Sequence, residues 1–409
     1  MYRNNPQVMK TVEKRYLVPF ILVTSLFLLW GIANNMTDTL LSAFKKIMSM
    51  SDAQTSLIQL AFYGSYFCFA LPAAIYIRKY SYKSGVILGL ALYAVGAILF
   101  LPAAKAASYG FYLIAIYILA GGCSVLETTA NPYILAMGAP ETATRRLNVA
   151  QAFNPLGSIT GILLSKYFIL KDISLYSISG TYMTLGFVLV VIMLVMIFAR
   201  MPEGRDDGSS DSLKATFKRL FKNRAYVFGV VAQFFYVGAQ IGVWSFTIRL
   251  VMKELGLVEA QGATLYLISI ICFSAARFLF TWLMKYFRPA RLLLVAAAAD
   301  IFFTLLVVVL GGTGWPCVIA LILVSFFMSL MFPTIYGLAL DGVEDPAKGG
   351  FAGDAKIGAS GLIMAILGGA LITPLQGLIS DAFGINIAYI VPLLCFVVVF
   401  LYALSLRKA

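Results

Sequence analysis

Four ionisable side chains interrupt the long apolar stretches of this 409-residue sequence: Asp38, Glu127, Arg277 and Asp300. A charge surrounded by hydrocarbon is costly, so such groups commonly belong to a transport path or a pair. Glu127 lies in "GGCSVLETTANPY", with Ser124, Thr128 and Asn131 as helical neighbours and Pro132 breaking the hydrogen-bond ladder just beyond. Low-dielectric surroundings disfavour the charged form of a carboxyl. If its exposure alternates, such a group takes a proton on one side of a barrier and releases it on the other. The competing reading is a structural carboxylate satisfied by the nearby hydroxyls. Asp38 closes "WGIANNMTD", where Trp30, Asn34 and Asp38 are spaced four apart with Asn35 beside them. That spacing stacks them along one helix face. An indole, two carboxamides and a carboxylate suit a sugar, whose C–H face stacks on an aromatic ring and whose hydroxyls need paired donors and acceptors. Helix–helix hydrogen bonding is the alternative.

Two further polar faces are expected to look toward that stripe: Asn148, Gln151, Asn154 and Ser158, and then Gln233, Tyr236, Gln240 and Trp244. Arg277 and Asp300 fall at similar depths from the same end of consecutive apolar segments, which predicts a structural ion pair. There is no histidine, so His-based triads, His metal sites and a His proton relay are excluded. The five cysteines lie in or beside apolar segments without CxxC spacing and read as small core residues. No metal cluster or nucleophile–base pair is visible, so an enzyme is not expected. No cofactor is expected beyond the proton as coupling ion. There is no G-x-x-x-x-G-K-[ST] loop, so uphill movement of a solute must draw on an ion gradient.

The elements that carry these residues follow from composition. The chain is 61% hydrophobic and only 12% charged, against about 45–50% and about 25% in a soluble domain. Its apolar residues form runs long enough to span a bilayer as helices, and the period-2 alternation of an outer-membrane barrel is absent. Twelve spans are predicted, over 17–41, 54–77, 84–103, 108–137, 147–170, 178–199, 225–249, 262–284, 290–311, 314–339, 352–379 and 384–405. The first follows a short basic segment and reads as an uncleaved helix. A polar break over 200–224, containing "EGRDDGSSDS" and then a short amphipathic stretch, divides the chain into six-helix halves over 1–199 and 225–409. The net charge of +13 is read as topology rather than nucleic-acid binding. Of 31 basic residues, 23 fall on the side that holds both termini and the linker and 7 on the other, with Arg277 left inside a span. The positive-inside rule then places both termini in the cytoplasm of an inner-membrane protein. The halves also resemble a repeat: "YIRKYSYKSGVIL" and "WLMKYFRPARLLL" align at an offset of 206 residues, which sets Trp30 on Tyr236, Asn34 on Gln240 and Asp38 on Trp244.

The segments "WGIANNMTD", "AFYGSYF", "RKYSYKSGVILGL", "VLETTANPY", "RLNVAQAFN" and "VGAQIGVWSF" resemble the fucose/galactose/glucose–proton symporter family of the major facilitator superfamily. The resemblance covers nearly the whole chain and is strongest in spans 1–5 and 7. It implies an all-α membrane protein with the site between two six-helix halves near the midplane. It also implies that Asp38 and Glu127 are the proton-linked acids, and that sugar is contacted by Asn35 and Gln151, with Trp30, Asn34 and Trp244 as further matches. The span-4 glutamate favours the fucose branch, since the glucose/galactose branch typically carries glutamine there. The loop after span 2, "IYIRKYSYKSG", lacks the acid usual in the superfamily, as in fucose transporters generally. The reading is thus import of L-fucose or a similar neutral hexose with protons, by a lipid-embedded monomer whose partners are sugar and proton. The sugar contacts are expected from Trp30, Asn34, Asn35, Asp38, Glu127, Gln151, Gln240 and Trp244. A glucose/galactose symporter of the same family and a non-transporting membrane sugar sensor are the alternatives. An intact pair of acids argues against the sensor.

Overall fold

The computed structural model describes residues 11–49, 52–169, 174–202, 212–345, 350–351 and 353–406; no strand occurs among them. The helices are α1 Leu17–Ile47, α2 Asp52–Lys79, α3 Tyr82–Ile98, α4 Phe100–Lys105, α5 Tyr109–Ala136, α6 Ala143–Gln151, α7 Asn154–Leu164, α8 Leu175–Phe198, α9 Leu213–Lys222, α10 Arg224–Leu255, α11 Glu259–Leu283, α12 Pro289–Val309, α13 Trp315–Phe327, α14 Met331–Leu340, α15 Asp354–Met364, α16 Gly368–Phe383 and α17 Ile390–Ser405. Serines and asparagine start several of them: the side chains of Ser81, Ser108, Ser174 and Asn223 accept hydrogen bonds from first-turn N–H groups. Gly256, at φ 63°, ends α10 in the left-handed conformation that only glycine adopts without strain.

Eleven stretches among the described residues are long and apolar enough to cross a membrane. The twelfth span, expected over 147–170, is α6 followed by α7, interrupted at Ala152 and Phe153. Pro155 stands at the start of α7 and has no N–H to continue the ladder. Spans 10 and 11 are also interrupted, by 3-10 turns at Met328–Leu330 and Ala365–Leu367. Such breaks survive in a membrane only where protein groups replace the lost hydrogen bonds. Outward faces carry exposed apolar side chains, among them Ile21, Leu60, Val191 and Leu378, as a lipid-facing surface requires.

Within the first half α3 packs on α5 and α8, α2 on α5, and α1 on α7; within the second, α10 packs on α14, α16 and α17, and α12 on α13 and α17. Spans 1 and 5 touch backbone to backbone. A Cβ on Gly31 would lie 2.1 Å from the Asn154 carbonyl oxygen, and one on Gly157 1.9 Å from that of Leu28. The predicted repeat is visible in hydrogen bonds. Trp30 on α1 donates to the Cys123 carbonyl of α5, and its counterpart Tyr236 on α10 donates to the Met328 carbonyl, so spans 1 and 4 are tied as spans 7 and 10 are.

The two halves meet where α2 and α5 lie against α15, α6 against α14 and α7 against α11. Helices α6 and α14 run antiparallel there. Gly337 admits Thr144, whose side chain would be 2.7 Å from a Cβ at that position. One turn on, Asn148 Nδ2 donates to Thr334 Oγ1 at 3.2 Å. The amphipathic part of the 200–224 break forms α9, which straps both halves at this end. Arg78, at the end of α2, donates to Thr216, and Arg219 holds Asp354, at the start of α15, through two bonds of 2.6 and 2.8 Å.

Candidate functional site

Glu127 is buried on α5, and its Oε2 has no hydrogen-bond partner among the described residues; the same is true of the neighbouring Thr128 hydroxyl. The alternative of a structural carboxylate satisfied by hydroxyls is therefore not met at that oxygen. Two tyrosines from different halves lie near it, Tyr66 on α2 and Tyr336 on α14, and their buried hydroxyls have no hydrogen-bond partner among the described residues. A buried carboxyl and two unpartnered phenols thus share one region. One turn along α5 from Glu127, Asn131 accepts a hydrogen bond from Gln151 Nε2 at 2.9 Å, while its own Nδ2 has no partner. Gln151 is the last residue of α6 before the break in span 5.

Contacts continue into the second half. Arg277 on α11 donates from Nη1 to the Gln151 carbonyl at 3.2 Å, and its guanidinium lies over the Phe273 ring, 4.7 Å from the centroid. Phe273 meets Trp244 of α10 edge-on at 5.0 Å. The chain Trp244, Phe273, Arg277, Gln151, Asn131, Glu127 joins an aromatic platform in one half to a buried acid in the other. Trp244 is half-buried with an unpartnered indole N–H, and Gln240 one turn before it is half-buried too. Gln376 of α16 lies over Gly242, between them, with both amide atoms unpartnered. The carboxamides of Asn131 and Gln376 and the Trp244 indole N–H, with hydrogen-bonding capacity unfilled among the described residues, can together with the aromatic face receive a polyhydroxylated solute.

Not every expected site residue takes that place. Trp30 has no exposed surface; its ring packs on Phe27 and its N–H is held by Cys123. It supports span 1 against span 4 and presents no face to a ligand here. It shares a helix with Asn34 and Asp38, but at its level the polar face is covered by α5. Asn35 is half-buried, bonded to the Gly31 carbonyl and close to Gly161 of α7. Asn34 and Asp38 fall within α1, but their side chains lie outside the described residues. The expected Arg277–Asp300 pair is absent. Arg277 is bound to the Ser329 and Gln151 carbonyls, whereas both Asp300 oxygens are buried without a hydrogen-bond partner among the described residues. Equal depth did not mean adjacency, because α13 and the 3-10 turn after it pack against both α11 and α12. Asn131, Phe273, Tyr336 and Gln376 are not among the residues that the sequence nominates for the site. Asn131 and Phe273 each stand four residues from a buried charge, and Gln376 is an isolated carboxamide in an apolar run. Tyr336 is one of 22 tyrosines and carries no signal.

Membrane-spanning helices broken at mid-depth around a buried acid and unpartnered carboxamides are the construction of a secondary transporter. The chain belongs to the Major Facilitator Superfamily, whose family model matches residues 20–353. It is 42% identical to the L-fucose-proton symporter of Haemophilus influenzae, over 98% of this chain and 99% of that one. It is 31% identical to the glucose/galactose transporter of Brucella abortus, over 99% and 98% of the two chains. Among solved structures, the outward conformation of the transporter FucP superposes with a TM-score of 0.86 at 35% identity, covering 96% of this chain and 99% of that one.

Proposed function

We propose that this protein imports L-fucose, or a neutral hexose of similar shape, together with protons across the inner membrane. The observation that carries the reading is the chain of hydrogen bonds from Asn131, one helical turn from the buried Glu127, through Gln151 to the opposite half, supported by the 42% identity to a symporter of that sugar. Asp38 and Glu127 are the proton-linked acids. Sugar contacts come from Asn34, Asn35, Gln151, Gln240 and Trp244, with Trp30 holding span 1 from behind. The halves over 1–199 and 225–409 rock about the site, joined by the cytoplasmic linker 200–224. Both termini are cytoplasmic, and a single chain suffices. The interface from Thr144 to Arg277 closes the end that carries the linker, which is the cytoplasmic end in this orientation.

Uptake of a radiolabelled panel of L-fucose, D-galactose, D-glucose and L-rhamnose into proteoliposomes, with and without an inward proton gradient, tests the proposal. Accumulation of L-fucose that depends on the gradient is expected. Preference for glucose or galactose would contradict the substrate assignment, and uptake of L-fucose indifferent to the gradient would contradict the coupling.

A further inference from the structure

In an α-helix each carbonyl accepts a hydrogen bond from the N–H four residues on. Proline has no N–H to give. Pro155 therefore frees the Gln151 carbonyl in span 5, and Pro333 frees the Ser329 carbonyl in span 10. These two carbonyls, one in each half, are the ones that Arg277 takes: Nε donates to Ser329 O and Nη1 to Gln151 O. The guanidinium is a planar fork able to serve two acceptors at once. The arginine is 3% exposed and has no carboxylate within ion-pair distance among the described residues. Its charge is accommodated by the two carbonyl dipoles and the Phe273 ring.

We propose that Arg277 is a positioning residue: it ties the break in span 5 to the opposite half and must let go of Gln151 when the halves rock apart. Arg277 on α11 and Ser329 after α13 belong to one half and move together. The bond to Gln151 O crosses between the halves and cannot survive opening of the end at which Thr144 meets Gly337. Gln151 also holds Asn131 through its amide, so the same residue registers both the tie and the candidate binding site. The tie thus links closure of this end to the orientation of a sugar-contacting carboxamide. That link rests on the proposed transport function; the tie itself does not.

The experiment reads closure and carbonyl satisfaction separately, without any sugar. In a variant whose five native cysteines are replaced by serine, a reporter cysteine at Thr144, which is buried against Gly337, is labelled by a thiol reagent in reconstituted protein. Melting temperature is measured in parallel. Arg277→Gln is expected to raise the labelling rate about tenfold, the scale of an ordinary conformational coupling, and to lower the melting temperature. Pro155→Ala added to it returns an N–H to Gln151 O. It should recover part of the melting temperature while labelling stays fast, because the bond between the halves is still missing. Arg277→Lys, which can serve only one carbonyl, should fold and label at an intermediate rate, and is the variant to use should Arg277→Gln not assemble. Labelling unchanged in both Arg277 variants would overturn the tie. Failure of Pro155→Ala to recover any melting temperature would show that the freed carbonyl is not what Arg277 serves. Neither result bears on whether the protein carries sugar, which the uptake panel decides.

Discussion

At the scale of single residues, the two tryptophans aligned with the polar faces separate by exposure and hydrogen bonding. Trp30 is sealed in, with its N–H on Cys123, whereas Trp244 is half-buried with its N–H unpartnered. Trp30→Phe removes a buried hydrogen bond to a carbonyl that its own helix still occupies, at a cost of about 0.5–1.5 kcal/mol. Thermal melting should register that loss, while half-saturation for sugar exchange stays within about twofold, since no ligand contact is removed. Trp244→Phe retains the ring beside Phe273 but removes the donor. It should weaken sugar half-saturation about fivefold to tenfold, roughly the worth of one hydrogen bond, with little change in melting. The reverse assignment of effects would place the sugar against Trp30. Asp300 is a buried carboxyl with no hydrogen-bond partner among the described residues, and nothing in its described surroundings explains it.

At the scale of elements, the shape of the site depends on how closely spans 1 and 5 approach. Gly31 and Gly157 face carbonyl oxygens at distances no methyl group could occupy. Gly31→Ala and Gly157→Ala must push α1 and α7 apart, at a cost of about 1–3 kcal/mol or more each. Gly180 on α8 is different: a Cβ there would meet nothing within 4 Å. Gly180→Ala should therefore be neutral or gain about 0.5–1 kcal/mol from helix propensity. Expression level and melting of the three variants check this, and a Gly31→Ala protein as robust as Gly180→Ala would show that spans 1 and 5 are not packed as described. The elements themselves were largely legible in the sequence. The runs of apolar residues marked the eleven stretches that are long and apolar enough to cross a membrane, and the helix pair α6–α7 stands where the fifth span was expected. The break in span 5 was not foreseen, although Pro155 stood in plain view, because hydropathy is blind to a missing N–H. The absence of an Arg277–Asp300 pair was equally out of reach, because depth along two helices says nothing of which helix stands between them.

At the scale of the whole molecule, the offset of 206 residues is reflected in matched ties, Trp30 to span 4 and Tyr236 to span 10. The site is legible in the sequence only in part. Glu127 and Gln151 could be nominated from chemistry and resemblance, but Asn131, Phe273 and Gln376 join them only through contacts between spans distant in sequence. Closure at one end follows from the α6–α14 contact and from α9 bridging Arg78 and Asp354. The charge distribution predicts that this end faces the cytoplasm. Cysteines at positions 2, 210 and 409 of a cysteine-free variant should be modified by a membrane-impermeant reagent only in inside-out vesicles. Modification of any of them in intact cells would reverse the orientation and, with it, the side of the membrane on which this state is closed.

The central claim is that Glu127 couples sugar to protons. Glu127→Gln keeps the shape of the side chain but fixes it neutral, so a rocking cycle can proceed without a proton being carried. Asp38→Asn removes the other acid proposed to carry protons and should damage both exchange and accumulation. The direct measurement is paired, in the same liposomes: L-fucose counterflow with no pH gradient, and L-fucose accumulation driven by one. For Glu127→Gln the expected result is counterflow near that of the parent, independent of pH, with no accumulation against the sugar gradient. Accumulation equal to the parent's would contradict the assignment of Glu127 as the coupling acid.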